Sequence, residues 1–105
     1  MLFLTPAVAL ADGVITGQAL NKADGSPLDF ATVVLLDSAG KSTGIGTETD
    51  YDGKFTLPSV PDGNYVVRVS YVGNVDQERP VKVAGKDVSV GVLKLADDTK
   101  VLQEV

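Results

Sequence analysis

The 105-residue chain contains no cysteine and no histidine, no tryptophan and a single methionine. Without cysteine there is no disulfide, no thiol nucleophile and no thiolate ligand for zinc. Without histidine the commonest general base and metal ligand is gone as well. Most common hydrolase chemistries leave with these two residue types. Positive charge is also scarce: nine Lys and Arg stand against 14 Asp and Glu, for a net charge of -5. That balance does not build a broad basic face for nucleic acid or anionic lipid. What is present is the composition of an ordinary globular domain, 44% hydrophobic and 22% charged, at a length that suits one core. Eleven Gly and five Pro, set among abundant Val and Thr, point to short strands joined by tight turns.

Residues 1–11, MLFLTPAVALA, form a separate object. They carry no charge and end in Ala9-Leu10-Ala11, the small-x-small pattern that signal peptidase reads, so cleavage would expose Asp12. A bilayer-spanning helix needs about 20 apolar residues, and this stretch is too short. It also lacks a basic leading region. The reading is an export-signal remnant over 1–11, with a first β-strand at a sheet edge as the alternative. No Cys follows Ala11 to accept a lipid. Export without any disulfide suits a periplasmic or surface domain.

From Gly13 onward the chain breaks at regular intervals into β-rich runs separated by Gly, Pro, Asn and Asp. Val14 to Leu20 is the first run, closed by a turn around Asp24-Gly25. Ala31 to Asp37 contains the continuous apolar stretch Val33-Val34-Leu35-Leu36, which suits a central strand. Gly44 to Thr49 is polar and glycine-rich, as an edge strand can be. Lys54 to Val60 alternates Phe55 and Leu57 against Lys54 and Thr56, and Pro61-Asp62-Gly63-Asn64 is a strong turn. Tyr65 to Val72 sets Tyr65, Val67, Val69 and Tyr71 on one face and is expected at the sheet centre. Asp76 to Val83 contains Pro80, which lacks a backbone donor and favours an edge or a bulge. Val88 to Leu95 would place Val88, Val90, Val92 and Lys94 on one face and Ser89, Gly91, Leu93 and Leu95 on the other. Seven strands with no sustained helical periodicity predict an all-β sandwich over residues 12–96, with 97–105 as a linker.

Few residues offer chemistry. Asp50 and Asp52 flank Tyr51 and precede Gly53; hard cations take carboxylate oxygens, but the third acidic position and the distant Glu of a calcium loop are missing, so a turn is the plainer reading. Gly44-Ile45-Gly46 has neither the helix nor the Lys of a phosphate cradle. Tyr65 and Tyr71 share a face with valines, as core residues do, whereas Tyr51 sits in a turn and is the candidate for exposed recognition. Tyr51, Asp50 and Asp52 are therefore the candidate binding residues. No catalytic, metal or cofactor set can be assembled, and none is expected.

Several segments together resemble the carboxypeptidase-regulatory-like, or transthyretin-like, domain. They are Ile15-Thr16-Gly17, Gly25-Ser26-Pro27-Leu28 before Ala31-Thr32-Val33, Thr49-Asp50-Tyr51-Asp52-Gly53-Lys54-Phe55, and Leu57-Pro58 running to Gly63-Asn64-Tyr65. The resemblance spans about Gly13 to Leu95 and implies a seven-stranded Greek-key β-sandwich. Val69-Ser70-Tyr71-Val72-Gly73 is similar to the version found at the N-terminus of Bacteroidetes-type TonB-dependent outer-membrane receptors, although Asn74 stands where that version has tyrosine. Val101-Leu102-Gln103-Glu104-Val105 is similar to the stretch that leads into the receptor plug. Two related activities find no support in the residues. The strand after Gly63-Asn64-Tyr65 has no carboxylate to assist the Lys–Asn crosslink of pilin modules, and the transthyretin-like hydrolase of purine breakdown needs histidines.

The resemblance implies a non-catalytic periplasmic accessory domain of a nutrient receptor, acting in protein interaction or spacing. Its partners would be a periplasmic protein or the rest of a larger receptor chain, with no nucleic acid, and the isolated domain is expected to be a monomer. The alternative is a glycan- or peptide-binding module of a secreted or surface enzyme or adhesin.

Overall fold

A computed structural model of the protein describes residues 12–98. The expected signal remnant over 1–11 and the plug-like stretch at 101–105 lie outside the described residues. Seven strands form: β1 (Gly13–Asn21), β2 (Thr32–Asp37), β3 (Ser42–Glu48), β4 (Lys54–Val60), β5 (Gly63–Ser70), β6 (Gln77–Val83) and β7 (Val88–Leu95). They make a three-stranded sheet ordered β4-β1-β7 and a four-stranded sheet ordered β3-β2-β5-β6. Every pairing is antiparallel except that of β1 with β7, which is parallel. The chain changes sheet at β1–β2, β3–β4, β4–β5 and β6–β7, so the two layers are sewn together along their length.

The places follow from the residues. In β2 both Val33 and Leu35 are fully buried and Leu36 nearly so, which accounts for an apolar run in a strand flanked by β3 and β5. In β5, Val67 and Val69 are fully buried in the same layer. They meet Ile15, Leu57, Leu93 and Leu95 from the opposite sheet in one core, each such side chain worth about 1.5–3 kcal/mol when removed from water. The weakest strand, β3, is an edge, as its glycines predict. β6 is the other edge, where Pro80 lies opposite Val66 without interrupting a central ladder.

Two bulges correct the simple alternation. In β7, Thr16 of β1 pairs with Ser89 but Gln18 pairs with Val92, so Gly17 faces two residues, Val90 and Gly91. Gly91 takes a φ of 77°, open to glycine at little cost, and the strand flips face there. Leu93 and Leu95 turn inward together with Val90, while Val92 turns out, contrary to the strict period-two expectation. The bulge also aims the Val90 and Val92 carbonyls across the layer gap, where Arg79 of β6 donates to them from Nη1 at 2.7 Å and Nη2 at 3.3 Å. In β4, Ser59 has a φ of 56° and the register with β1 slips, which turns Val60 inward after Leu57.

β5 ends at Ser70, shorter than the run to Val72 suggests, and the chain then turns. Asn74 Nδ2 donates to the Leu95 carbonyl at 3.1 Å, and Asn74 bridges to Asp97. The Asp98 N–H reaches the Gly73 carbonyl at 2.9 Å, so pairing continues through the last described residue.

Gly17 lets the two sheets close. A Cβ there would strike the Phe55 ring and lie 2.7 Å from Val90 Cγ2, both core atoms. Gly17→Ala is expected to lower the stability measured by urea unfolding by about 1–3 kcal/mol. An unchanged midpoint would show that Phe55 can rotate aside.

Candidate functional site

Three loops meet at one corner: residues 22–31 between β1 and β2, 49–53 between β3 and β4, and 71–76 between β5 and β6. The centre of this corner is Thr49, 2% exposed and the one buried polar residue among those described. Its Oγ1 accepts the Ala31 N–H at 2.8 Å and donates to the Leu28 carbonyl at 2.5 Å. Its backbone completes the clamp, with Thr49 N–H donating to Ala31 O and Phe30 N–H donating to Thr49 O. Residues 28–31 are thus held at both ends by one threonine. Phe30 between them adopts a φ of 57°, a left-handed conformation rare for a residue with a Cβ, and its ring is thrown to the surface, 52% exposed.

The neighbouring turn is built by Asp50. Its Oδ1 accepts the N–H groups of Asp52 and Lys54, both at 2.9 Å, and its carbonyl accepts the Gly53 N–H. Gly53 has a φ of 76°, and any Cβ there would collide with the Ala19 carbonyl. The result is a tight turn with Tyr51 at its tip, 76% exposed. Asp50 shapes the turn that presents Tyr51, as the turn reading of these residues has it. Asp52 is exposed, and its carbonyl accepts Gln18 Nε2 at 2.9 Å. A similar device closes the 21–26 turn, where the Ser26 N–H, and then its hydroxyl, hold the Asp24 carboxyl below the usual carboxylate range.

Tyr51 meets Phe30 edge to face, with ring centroids 5.2 Å apart and planes at 80°. Beside Phe30 opens a cleft of about 630 Å³, lined by Asp29, Phe30, Thr32, Ser70, Tyr71 and Val72. Thr32 and Ser70 are direct neighbours across the β2–β5 ladder, which fixes the floor of the cleft. Tyr71 packs on the core, as expected of it, and also forms one wall. Val72 is 96% exposed. The cleft is lined by rings, an isopropyl group, three hydroxyl-bearing residues and one carboxylate, a set suited to recognition by contact. Among the described residues no three metal-ligating side chains come together.

Sequence reasoning singled out Tyr51 but missed Phe30, Asp29 and Val72. Phe30 carries the one available signal, a large aromatic residue beside Asp29 in a connecting loop. Its proximity to Tyr71 and Val72, some 40 positions away, has no local signature.

The family model described as the CarboxypepD_reg-like domain matches residues 15–105. The chain belongs to this family. A curated relative, the TonB-dependent receptor SusC of Bacteroides thetaiotaomicron, is 36% identical over 97 residues, covering 92% of this chain and 8% of the receptor. The chain spans a tenth or less of the curated relatives it matches. Among solved structures, the major pilin subunit BcpA of Bacillus cereus superposes with a TM-score of 0.67 at 17% identity, over 83% of this chain and 30% of the pilin. The 5-hydroxyisourate hydrolase of Klebsiella pneumoniae superposes with a TM-score of 0.58 at 17% identity, over 81% of this chain and 90% of the enzyme. At such identities the likeness is one of fold, so the CarboxypepD_reg-like domain here shares a β-sandwich with proteins of unlike activity.

Thr49→Val keeps the shape of the side chain and removes the hydroxyl, leaving the Leu28 carbonyl and Ala31 N–H without that partner. It is expected to cost about 1–3 kcal/mol of unfolding free energy and to broaden the amide resonances of Phe30 and Tyr51. Asp50→Ala should lose about 1 kcal/mol, as its carboxylate serves two turn N–H groups at the surface. Denaturant titration of the two variants checks both figures.

Proposed function

We propose that this CarboxypepD_reg-like domain is the non-catalytic, periplasmic N-terminal accessory domain of a TonB-dependent outer-membrane nutrient receptor, working by protein contact or spacing. The observation that carries the reading is the match to SusC over 92% of this chain and only 8% of the receptor, the relation expected of a small module within a large protein. TonB-dependent receptors P3 and P39 of Formosa agariphila match in the same way. Absence of cysteine suits a module that needs no disulfide on export.

The fold supports contact as the working principle. β3 is an open edge of the four-stranded sheet. Its first half is bulged, since Val34 pairs with Gly46 while Leu36 pairs with Ser42, and such a bulge discourages indiscriminate pairing. Its second half, Gly46 to Glu48, stays in regular register with β2 and leaves a short edge to which an extended partner strand can add.

The encoding gene tests this reading. The open reading frame is expected to run past Val105 into a plug and a series of amphipathic strands, with the product in the outer-membrane fraction. A stop codon directly after Val105, or a product released to the medium, overturns it in favour of a free-standing secreted binding module.

A further inference from the structure

The cleft at the Phe30–Tyr51 corner has apolar walls that nothing among the described residues covers. Phe30 and Val72, both exposed, line it, and the exposed Tyr51 ring stands beside it against Phe30. Such a group, clustered and in water, marks a contact surface, whereas scattered single exposures do not. Phe30 is held outward by a left-handed backbone that Thr49 clamps in place, so its display is imposed by the fold.

Shape and charge decide between occupants. The Phe30 and Tyr51 rings stand at 80° to each other and Val72 offers only an isopropyl group, so the two rings form no continuous flat platform. An angular apolar pocket fits a branched side chain instead. Asp29, half-buried, lines the cleft; Glu48 lies across the ladder from Thr32 at its floor; Asp52 follows Tyr51. None of these three carboxylates is ion-paired among the described residues, where the one ion pair joins Arg68 to Glu78. The whole chain carries a net charge of -5. The complement of this surface is apolar and cationic.

We propose that the cleft docks an extended segment of a partner protein that seats an aliphatic side chain between Phe30, Tyr71 and Val72. An adjacent lysine or arginine of that segment meets Asp29 and the Tyr51 ring. The proposal rests on the reading of the domain as a protein-contact module and supplies the chemistry of the contact.

The test is a chemical-shift titration of the full 105-residue chain, labelled with nitrogen-15, using three probes. These are an acetylated and amidated Lys-Leu-Lys-Leu-Lys peptide, its Glu-Leu-Glu-Leu-Glu counterpart, and maltoheptaose. The cationic peptide is expected to shift the Phe30, Tyr71 and Val72 amides saturably, and less so as salt is raised. Asp29→Asn and Phe30→Gly should each weaken it by roughly tenfold. Glycine accepts the φ of residue 30, so the second variant keeps its fold; Tyr51→Ala, on an exposed turn, gives an independent check.

No shift with the cationic peptide overturns the proposal, as do equal shifts with the anionic one or shifts with maltoheptaose alone. So does movement of the same amides on diluting the free chain, which would reveal a second copy as occupant, or on removing residues 99–105, which would reveal the chain's own end. A null titration beside a reading frame that continues into a receptor removes this inference and leaves the receptor reading intact. A stop codon beside a saturable, charge-dependent titration does the reverse.

Discussion

One hydroxyl group organises the corner of this molecule that carries the candidate site. Thr49 is buried, so its oxygen must find hydrogen-bond partners within the protein, and it takes them from both ends of the 28–31 segment. Because the Leu28 carbonyl and the Ala31 N–H are paired with the Thr49 hydroxyl, the segment cannot relax without leaving buried polar groups unpaired. The left-handed Phe30 is the consequence. A strained residue of this kind costs on the order of 1–3 kcal/mol and persists only where its surroundings over-determine it. The next residue along, Asp50, folds the turn that sets Tyr51 against Phe30, so adjacent positions of the chain place both halves of the aromatic pair.

Midway along β7 the two sheets are held by different means. The bulge at Gly91 reverses β7 so that Leu93 and Leu95 fill the core, and the displaced carbonyls become acceptors for Arg79 on the facing sheet. A guanidinium with two donors in a fixed plane suits a pair of carbonyls two positions apart, on Val90 and Val92. The two sheets are therefore joined by the core, by four chain crossings and by side-chain links from Arg79 and Asn74 to β7 carbonyls. With no disulfide available in a chain without cysteine, rigidity comes from these contacts alone. A sandwich with short edges suits the proposed task of holding a contact surface in place.

Much of the fold is legible in the residues themselves. Period-two alternation in Lys54–Leu57, the unbroken Val33–Leu36 run and the Asp-Gly and Pro-Asp-Gly turns locate strands and their ends to within a few residues, because side-chain alternation and turn chemistry are local properties. Gly44 and Gly46 announce an edge strand and Pro80 another, for the same reason. Alternation fails in β7, where Gly91 admits a bulge that depends on the register of β1 beside it. It fails also at Tyr71 and Val72, which read as the end of a strand and in fact turn out of the sheet. Asn74 reads as a departure from a family pattern, and the structure shows why it is tolerated: its amide ties the β5–β6 loop to the Leu95 carbonyl.

By itself, then, the sequence determined the class of the protein. Composition removed thiol and histidine chemistry, strand punctuation set seven strands in two layers, and the order of the motifs identified the family. Tyr51 was visible as an exposed aromatic because turn residues announce themselves locally. Only the tertiary structure decided what stands beside it. Phe30, Thr32, Ser70 and Val72 become neighbours through the pairing of β2 with β5 and through the Thr49 clamp, contacts between positions far apart in the chain. Local propensity carries no record of such contacts, because they follow from the register of whole strands and the closing of two sheets over one core.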